Sequence, residues 1–340
     1  MKIEPLTSEQ SRRWDAYVEN HPDGTFFHLS GWRTVLEDTL GHRTHYRYAE
    51  RDGRIVGLLP LGHIASRLFA NALISTPFCV YGGPLADDDD IAEALVEEAR
   101  DRAAALGVDY LEWRLRQPSG KDRPVKDLYV TFRKTLDPDP EANLKAVPRK
   151  QRAMIRKGIK AGLESVIDGG VDRFYEVYAE SVRNLGTPVF PKPYFQALKD
   201  TFGDRCEILV VEHRGRPVAG VMNFYFRDEV LPYYGGGTAE ARRLYANDFM
   251  YWEVMCRAVE RGVRVFDYGR SKKGTGSYRF KKHWGFEPQP LHYEYDLIRA
   301  REMPDINPLN PKYRLFIAAW KRLPLPVSKW IGPWLARDLG

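Results

Sequence analysis

The sequence predicts a mixed α/β fold in which two copies of one unit are followed by a helical tail. The first observation behind this prediction is an internal repeat, because three segments recur in the same order at a similar offset. The paired segments are AERDGRIVGLLPL (49–61) with VEHRGRPVAGVMNF (211–224), FCVYGGPL (78–85) with LPYYGGGT (231–238), and EEARDRAAALGVDYLEWR (97–114) with CRAVERGVRVFDYGR (256–270). The second observation is hydrophobic periodicity, which is helical in some segments and alternating in others.

Each copy is predicted to run as helix, hairpin, strand, helix and strand. An amphipathic helix precedes each hairpin, in GWRTVLEDTL of the first copy and in RFYEVYAESVRNL with KPYFQALKDTF of the second. The hairpin turns RDGR and HRGR place Gly53 and Gly215 where a positive φ is needed. The next helices end near Gly107 and Gly262, and each leads into an alternating strand. A strand–helix–strand crossover beside a hairpin gives the mixed α/β class.

The order of these elements predicts four parts of the chain. We expect a first, non-catalytic domain over 1–140, a basic linker helix over 141–165, a second domain with the catalytic cleft over 166–300, and a basic, Trp-rich tail over 301–340. Two interpretations of the tail stay open. Its amphipathic pieces lie in a membrane interface, or they form a helix pair docked on a domain with its tryptophans buried.

The net charge of +6 is modest, but the cations are unevenly distributed. Three segments contain Lys and Arg and no acid, between Glu141 and Glu164, between Asp267 and Glu287, and between Asp305 and Asp338. Cations gathered without counter-charges indicate an anionic partner, and the alternative for each segment is a solvated helix face.

Other features of the sequence exclude several classes of protein. The three cysteines are widely spaced and the eight histidines match no metal-ligand spacing, so we expect neither disulfides nor a metal site. No apolar run reaches the roughly 20 residues of a transmembrane helix, and the N-terminal residues lack the apolar core of a signal peptide. We expect a soluble, cytoplasmic protein without stable DNA binding.

The most informative stretch is GRSKKGTGSYRFKKHWGF (269–286), which has six Lys and Arg residues and no acid. It predicts a loop over 269–276 that leaves a buried strand, followed by a short helix over 277–284. Glycines in the loop let the backbone approach anionic oxygens. On the helix, Tyr278 and Lys282 share one face, and aromatic residues that we interpret as core share another. The alternative is an ordinary surface loop with a charged helix.

The second copy resembles the GNAT acyltransferase fold, because YRFKKHWGFEP looks like the last helix of that fold and follows the same order of elements. The tandem arrangement resembles the FemAB family of peptidyltransferases, which take an amino acid from aminoacyl-tRNA. The segments PRKQRAMIRKGIKAGLE, HLSGWRTVLE, GLLPLGHIASRLF and LISTPFCVYGGPLA look closest to the FemAB-like branch associated with PEP-CTERM and exopolysaccharide loci. The resemblance covers roughly residues 20 to 300.

The resemblance implies that two neighbouring strands part at one end, where backbone amides polarise a carbonyl and a base deprotonates an amine. GNAT enzymes hold the pyrophosphate of coenzyme A on a Gly-rich turn, whereas the matching position here reads RRLYANDFMYWE. The position of the usual tyrosine general acid is Phe280. We therefore expect no bound cofactor. An activated acyl donor, either aminoacyl-tRNA or an acyl thioester, would be the co-substrate, with coenzyme A the weaker candidate.

The candidate catalytic residues are Asp267, Lys273 and Tyr278. Asp267 is a candidate base for the incoming amine, or it pairs with Arg270 or Lys273 as part of the structure. The candidate substrate-binding residues of the second copy are Asn223, Tyr234, Gly235, Gly236, Arg270, Lys272 and Lys282. The cations would face phosphates of a tRNA acceptor end or of a diphosphate-linked precursor. In the first copy, Trp32 and Tyr81 are expected to lie near a cleft that binds the acceptor or only supports the fold.

The predicted function is the transfer of an aminoacyl or acyl group to an amine of a cell-envelope or exopolysaccharide precursor. One alternative is an acyl-thioester-dependent N-acyltransferase acting on an amino sugar. Another is a non-enzymatic module that binds RNA or anionic lipid. The expected partners are the precursor and the tRNA acceptor end. If the tail lies in a membrane interface, residues 306–337 contact anionic membrane at its inner face.

Overall fold

The structure of the protein is a computed structural model that describes residues 1–66, 70–304 and 311–339. The helices within these ranges are α1 Ser11–Asn20, α2 Gly31–Leu40, α3 Asp89–Leu106, α4 Pro140–Ala146, α5 Arg149–Lys160, α6 Asp172–Leu185, α7 Lys192–Phe202, α8 Ala239–Leu244, α9 Ala246–Glu260, α10 Gly276–His283, α11 Pro311–Trp320 and α12 Leu325–Ala336.

The strands alternate with these helices, which confirms the predicted mixed α/β class. They are β1 Lys2–Pro5, β2 Arg43–Thr44, β3 Arg47–Arg51, β4 Arg54–Leu59, β5 Gly62–Ala65, β6 Asn71–Ser75, β7 Leu85–Ala86, β8 Tyr110–Leu115, β9 Val125–Lys126, β10 Tyr129–Thr135, β11 Leu163–Asp168, β12 Cys206–His213, β13 Arg216–Phe226, β14 Glu229–Gly237, β15 Val265–Asp267, β16 Ser271–Lys272, β17 Pro288–Pro290 and β18 His292–Leu297.

The chain divides into two compact units. Unit 1 comprises Met1–Tyr129, Pro290–Ile306 and Arg337–Gly340, and unit 2 comprises Val130–Gln289 and Asn307–Ala336. Unit 1 contains a four-stranded sheet in the order β1-β3-β4-β7 and a six-stranded sheet in the order β2-β5-β6-β8-β18-β9. Unit 2 contains a single larger sheet in the order β11-β12-β13-β14-β15-β10-β16, with β17 paired to β10.

The predicted repeat is confirmed at its hairpins and crossovers. The hairpin β3–β4 turns through Asp52 and Gly53, and the hairpin β12–β13 turns through Arg214 and Gly215, all four with positive φ. Both central residues of a two-residue turn adopt this conformation when the turn follows the twist of the strands. In each unit a long helix, α3 or α9, connects two parallel strands, β6 to β8 in unit 1 and β14 to β15 in unit 2.

One predicted strand of the repeat is wrong. The segment FCVYGGPL was matched to the strand LPYYGGGT, but residues 78–84 form no strand, and the equivalent parallel strand β6 precedes them. Phe78 has a φ of 65°, and the flanking Pro77 and Pro84 have no backbone N–H to donate to a sheet. The backbone therefore turns where the sequence pattern predicts that it extends.

Two strands pair within the other unit from the one that the predicted domain limits, 1–140 and 166–300, assign them to. The strand β18 follows the last helix of the second copy, yet it pairs along its whole length with β8 of unit 1. The strand β10 lies within 1–140, yet it pairs with β15 of unit 2. Each unit is therefore completed by a strand that the sequence order assigns to the other.

The predicted linker helix over 141–165 is two helices, α4 and α5, followed by the first residues of β11. Pro148 separates them, because proline disfavours a helical conformation in the residue before it, here Val147, which is extended. Ile155 of α5 is fully buried in the core of unit 2, and Gly158 packs closely against Phe249 of α9. The α5 helix is therefore part of unit 2 and supports α9.

Candidate functional site

The strands β14 and β15 part after two paired residues. The parallel pairing covers only Glu229 with Val265 and Val230 with Phe266. Beyond this point β14 stays paired with β13 as far as Gly237, while β15 stays with β10, because the Tyr268 N–H donates to the Phe132 carbonyl at 2.9 Å. The two strands therefore follow different neighbours, and the part of β14 from Leu231 to Gly237 faces a gap.

The pairing of β14 with β13 contains a β-bulge at the start of this gap. Asn223 pairs with Pro232 and Met222 with Tyr234, so Tyr233 is the extra residue. A bulge bends its strand and redirects its backbone groups. The bulge therefore contributes to the divergence of β14 from β15, at the position where the sequence predicts backbone donors for a carbonyl.

The parallel strands of unit 1 do not part in the same way. The last four residues of β6 all pair with β8, from Ala72 with Tyr110 to Ser75 with Trp113. The chain then returns to the same strand, where the Gly82 N–H donates to the Arg114 carbonyl at 2.7 Å. This region of unit 1 is closed by ordinary backbone hydrogen bonds.

Glycines let two helices approach β14 beside the gap. A Cβ atom at Gly235 would lie 2.9 Å from the Tyr251 hydroxyl of α9, and one at Gly236 would lie 2.5 Å from the side chain of Ser181 of α6. Both distances are too short for a side chain. A Cβ atom at Gly236 would also lie 3.7 Å from the ring of Tyr178 on α6, and burial raises the pKa of that phenol.

Tyr268 is a buried tyrosine that directly follows the end of β15. Its side chain is 4% exposed, and its ring packs against Tyr251, Phe266 and Phe286 with centroid distances between 4.7 and 4.9 Å. The hydroxyl is buried and has no hydrogen-bond partner among the described residues. Burial holds the pKa of this phenol well above its ordinary value. The phenol therefore stays protonated at neutral pH, and its O–H is a hydrogen-bond donor without a partner among the described residues.

Asn223 also has an unpaired polar side chain. It is fully buried, and both amide atoms have no hydrogen-bond partner among the described residues. Alternation along β13 places it on the same face as Val221, which contacts α9 in the core. It lies next to the bulge, one strand away from the gap. This placement agrees with the prediction that Asn223 binds substrate, and that role stays a prediction.

Asp267 is held by three groups of unit 2. Its carboxylate accepts hydrogen bonds from the Thr131 hydroxyl at 2.9 Å, the Arg133 guanidinium at 2.8 Å and the Gly269 N–H at 2.8 Å. Arg133 also pairs with Glu229 at the start of β14. The sequence suggested Arg270 or Lys273 as structural partners of Asp267, and it missed Arg133. These contacts favour the structural interpretation of this carboxylate over a role as base.

Lys281 is a second charged residue of the site, besides Arg133, that the sequence prediction missed. Its Nζ donates to the carbonyls of Tyr268, Gly269 and Arg270 at 2.7, 2.9 and 3.2 Å. The side chain is 8% exposed, and burial lowers its pKa to about 7. Lys281 therefore fixes the segment that leaves β15, and its charge changes close to neutral pH.

The basic loop and its helix form as predicted, with a short strand, β16, inside the loop. The helix α10 begins at Gly276 and ends at His283, one residue earlier than predicted at each end. Arg270, Lys272 and Lys273 are partly exposed, and Lys282 is exposed. The loop therefore presents cations at the surface while Lys281 points inward.

The two faces predicted for α10 are partly confirmed. Trp284 is fully buried and Phe280 packs against the core, so the aromatic face is core as predicted. Tyr278 is partly buried, with its ring edge-on to Phe132 of β10 at 5.5 Å. Its phenol therefore lies close to the strand that β15 follows, while Lys282 on the same face remains in solvent.

Thr275→Ala is expected to destabilise α10. The Thr275 hydroxyl accepts a hydrogen bond from the Tyr278 N–H and donates one to the Lys272 carbonyl at 2.7 Å. Loss of such an N-cap costs about 1 kcal/mol. Faster hydrogen exchange of the α10 amides would measure the effect, and Lys282→Ala in the same helix serves as the control. Unchanged exchange in the Thr275 variant would contradict this role.

Asp248 connects α9 with both neighbouring helices of the site. Its carboxylate accepts hydrogen bonds from the Trp284 indole at 3.0 Å and from the Gln151 amide of α5 at 3.3 Å. Burial raises the pKa of Asp248, and the two hydrogen bonds oppose that rise. These contacts fix the start of α9 against the end of α10.

The remaining predicted residues are part of the core. Tyr234 is buried, and its hydroxyl lies 2.8 Å from the Tyr194 hydroxyl in an aromatic cluster of α6 and α7. In unit 1, Trp32 and Tyr81 are 0% and 1% exposed, and the Trp32 indole donates to the Phe26 carbonyl. The prediction that these two side chains lie near a cleft is therefore corrected, because neither reaches a surface.

The described residues contain no group of three or more His, Cys, Asp and Glu side chains arranged to hold a metal ion. At the start of α9, where GNAT enzymes bind pyrophosphate, Tyr245 has a positive φ of 58°. The Lys157 ammonium lies 4.8 Å above its ring. A tyrosine therefore stands beside the main chain where a Gly-rich turn would leave it open.

Comparison with known proteins supports this description of the fold. Residues 149–282 match the family model described as an acetyltransferase (GNAT) domain. No curated protein matches the chain significantly. A crystal structure of FemX shares 15% identity with a TM-score of 0.64, and the match covers 86% of this chain and 97% of that one.

Two further structures match over most of their length. A tandem GNAT protein from the clavulanic acid biosynthesis pathway is 16% identical with a TM-score of 0.55, covering 86% of this chain and 97% of its own. The C-terminal domain of a putative lysylphosphatidylglycerol synthetase from Agrobacterium fabrum is 15% identical with a TM-score of 0.56, covering 86% and 92%. The chain therefore has a tandem GNAT-like fold, and the family match in unit 2 indicates an acyltransferase.

Proposed function

We propose that unit 2 transfers an aminoacyl or acyl group from an activated donor to an amine of a cell-envelope or exopolysaccharide precursor. The observation that carries this proposal is the gap between β14 and β15, which opens after Val230 and Phe266. Backbone donors at such a gap can bind the oxygen that becomes negative when an amine attacks a carbonyl. The GNAT domain match over residues 149–282 supports the same reaction class.

The chemistry would take place with the donor carbonyl in the gap. The amine nitrogen attacks the carbonyl carbon, a C–N bond forms, and the bond to the leaving oxygen or sulfur breaks. The amine loses a proton and the leaving group takes one up. We assign Tyr268 the role of donating a hydrogen bond to the oxygen that becomes negative, which is supported by its position directly after β15 and by a buried hydroxyl with no partner among the described residues.

The basic loop supplies positive charge beside this gap. Arg270, Lys272 and Lys273 follow the end of β15 directly and are partly exposed. Lys281 is bonded to the backbone of the same segment, and because burial lowers its pKa to about 7, it adds positive charge below that pH. An anionic donor or precursor would be stabilised here, whether its phosphates belong to a tRNA acceptor end or to a diphosphate link.

The nature of the donor distinguishes two versions of the proposal. An aminoacyl-tRNA donor is favoured by the exposed cations of α5 and by Tyr245, which stands where coenzyme A would need an open backbone. An acyl-thioester donor acting on an amino sugar is favoured by the GNAT domain match. We place the aminoacyl-tRNA donor first. The PEP-CTERM and exopolysaccharide context and a cytoplasmic location are further parts of the proposal.

The proposal is tested by incubating the purified protein with aminoacyl-tRNA or acyl-CoA and with envelope or exopolysaccharide precursors, followed by mass spectrometry of the products. A mass increase equal to one aminoacyl group, seen only with charged tRNA, is the expected result. Products formed only with acyl-CoA would show that the donor is an acyl thioester and not aminoacyl-tRNA. The absence of any acylated amine with either donor would contradict the proposed function.

Lys273→Ala and Tyr278→Phe are expected to lower the rate of product formation by about 100-fold, the lower end of the range for a side chain positioned for proton transfer. Lys273 lies in the cationic loop, and Tyr278 packs on Phe132 beside the end of β15. The control is Lys145→Ala on α4, whose side chain is highly exposed. Full turnover in both site variants would show that these residues are outside the reaction site.

A further inference from the structure

The C-terminal helix α12 is fixed to unit 2 through its small residues. Ser328, Gly332 and Ala336 lie on one face at helical spacing, and all three are buried. A Cβ atom at Gly332 would lie 3.0 Å from the Val189 N atom, so glycine allows a close approach of the two backbones. Lys329 adds an ion pair with Glu176 of α6. The helix is therefore held by its inner face.

The preceding helix α11 is held in a similar way. Trp320 at its end is 4% exposed. Ile317 lies against Gly186, which ends α6, and the Arg183 guanidinium donates to the Leu323 carbonyl at 3.0 Å. The tail is thus a docked pair of helices, one of the two interpretations that the sequence left open.

The docked-pair interpretation also predicts buried tryptophans, and for the two tryptophans of α12 this is wrong. Trp330 and Trp334 are four residues apart and each is 75% exposed. On α11, Leu315 is 83% exposed and Phe316 is 42% exposed. Small residues inside and large apolar residues outside are the reverse of the pattern of a surface helix in a soluble protein. Apolar side chains that cluster on a surface mark an interaction site, and Trp330 and Trp334 lie one helical turn apart.

The charged residues that the tail itself contributes between residues 306 and 337 have one sign. From Ile306 to Arg337 the sequence contains six Lys and Arg residues and no acid. Lys321 and Arg322, between the two helices, are exposed. An apolar partner protein would not require this excess of cations, whereas anionic lipid headgroups attract it.

We propose that the tail face, defined as Leu315, Phe316, Lys321, Arg322, Trp330 and Trp334, docks on the surface of an anionic lipid bilayer. Tryptophan is favoured at the level of the headgroups, where its ring is apolar and its N–H remains hydrated. Neighbouring cations bind the lipid phosphates. Among the described residues, no helix combines the length and the apolar character needed to cross a membrane. The tail face therefore lies on the bilayer, with α12 along its surface.

Vesicle sedimentation of the full-length protein tests this inference. We expect binding to vesicles of phosphatidylcholine mixed with phosphatidylglycerol and weaker binding to phosphatidylcholine alone. Trp330→Ala combined with Trp334→Ala should weaken binding by about tenfold or more. Lys321→Glu combined with Arg322→Glu should remove the preference for the anionic lipid.

The matched control is Val166→Ala combined with Ile167→Ala, which removes exposed apolar area from β11 of the same unit. This control should bind vesicles like the unchanged protein. Quenching of tryptophan fluorescence by brominated lipids gives a second measurement. It should be strong in the unchanged protein and small in the Trp330 and Trp334 variant.

Three results would overturn the inference. The unchanged protein could remain in the supernatant with both kinds of vesicle, or the tryptophan variant could bind as well as the unchanged protein. A dimer in light scattering that becomes a monomer in the tryptophan variant would assign the tail face to self-association. None of these outcomes bears on the acyl-transfer reaction, which is measured with the separate product assay.

Discussion

Lys281→Met is expected to lower the free energy of unfolding by about 3 kcal/mol, as estimated from the loss of three hydrogen bonds to backbone carbonyls, two of them buried. The Lys281 ammonium donates to three successive carbonyls, and the side chain is 8% exposed. Methionine has a similar volume but no N–H group, so the three carbonyls would each lose the hydrogen bond that Lys281 donates. The effect would be measured by urea denaturation.

The matched control is the neighbouring Lys282→Met. Lys282 is exposed on the same helix, so its replacement should change the free energy of unfolding by less than about 0.5 kcal/mol. Equal losses in the two variants would contradict the role of Lys281 in holding the segment after β15. The control also separates a general effect of charge in the basic stretch from the specific contacts of Lys281.

The pH dependence of stability gives an independent check on Lys281. Burial lowers its pKa from 10.5 to about 7 in the folded protein. Between these two values the unfolded chain binds one more proton than the folded chain. The contribution of Lys281 to the free energy of unfolding therefore increases as the pH rises from about 7 towards 10.5, and it is smallest below 7. This increase should be absent in Lys281→Met.

The parts of the fold that depend on short segments of sequence could be predicted. The turns at Gly53 and Gly215 and the ends of the helices before Gly107 and Gly262 were found because a positive φ leaves a local signal. The pairing of β10 with β15 and of β18 with β8 was missed. A strand carries its alternation wherever it pairs, so its pattern does not identify the sheet that it joins.

The candidate site was predicted in outline, but some residues were assigned incorrectly. The basic loop, α10 and the parting of β14 from β15 follow from the resemblance to the GNAT fold, and the structure contains each of them. Lys281 was missed because it lies in a run of cations and looks like its exposed neighbours. Lys281 differs from them because its position on the helix directs its side chain inward, where its Nζ donates to three backbone carbonyls. Trp32 was assigned to a cleft although it is fully buried. The sequence alone does not distinguish an aromatic residue that lines a cleft from one in the core.

Tyr268→Phe is expected to reduce the rate of acyl transfer by about 100-fold, in the range for loss of one donor to a developing negative charge. Stability should stay the same or rise by up to about 1 kcal/mol, because the variant removes a buried hydroxyl that has no partner among the described residues. Since burial holds the pKa of the phenol well above its ordinary value, the group remains a donor throughout the neutral range. Product formation and urea denaturation measure the two effects.

Tyr225→Phe is the matched control, since it removes a hydroxyl of the same kind elsewhere in unit 2. The Tyr225 hydroxyl donates to Glu207 at 3.1 Å, in a cluster with Arg257 and Arg261. Its loss should lower stability by about 1 kcal/mol and leave the transfer rate unchanged. The two substitutions should thus have opposite effects, one on the reaction and the other on stability. A Tyr268 variant that keeps full turnover would exclude the hydroxyl from the reaction, because a residue that only fills space would tolerate phenylalanine.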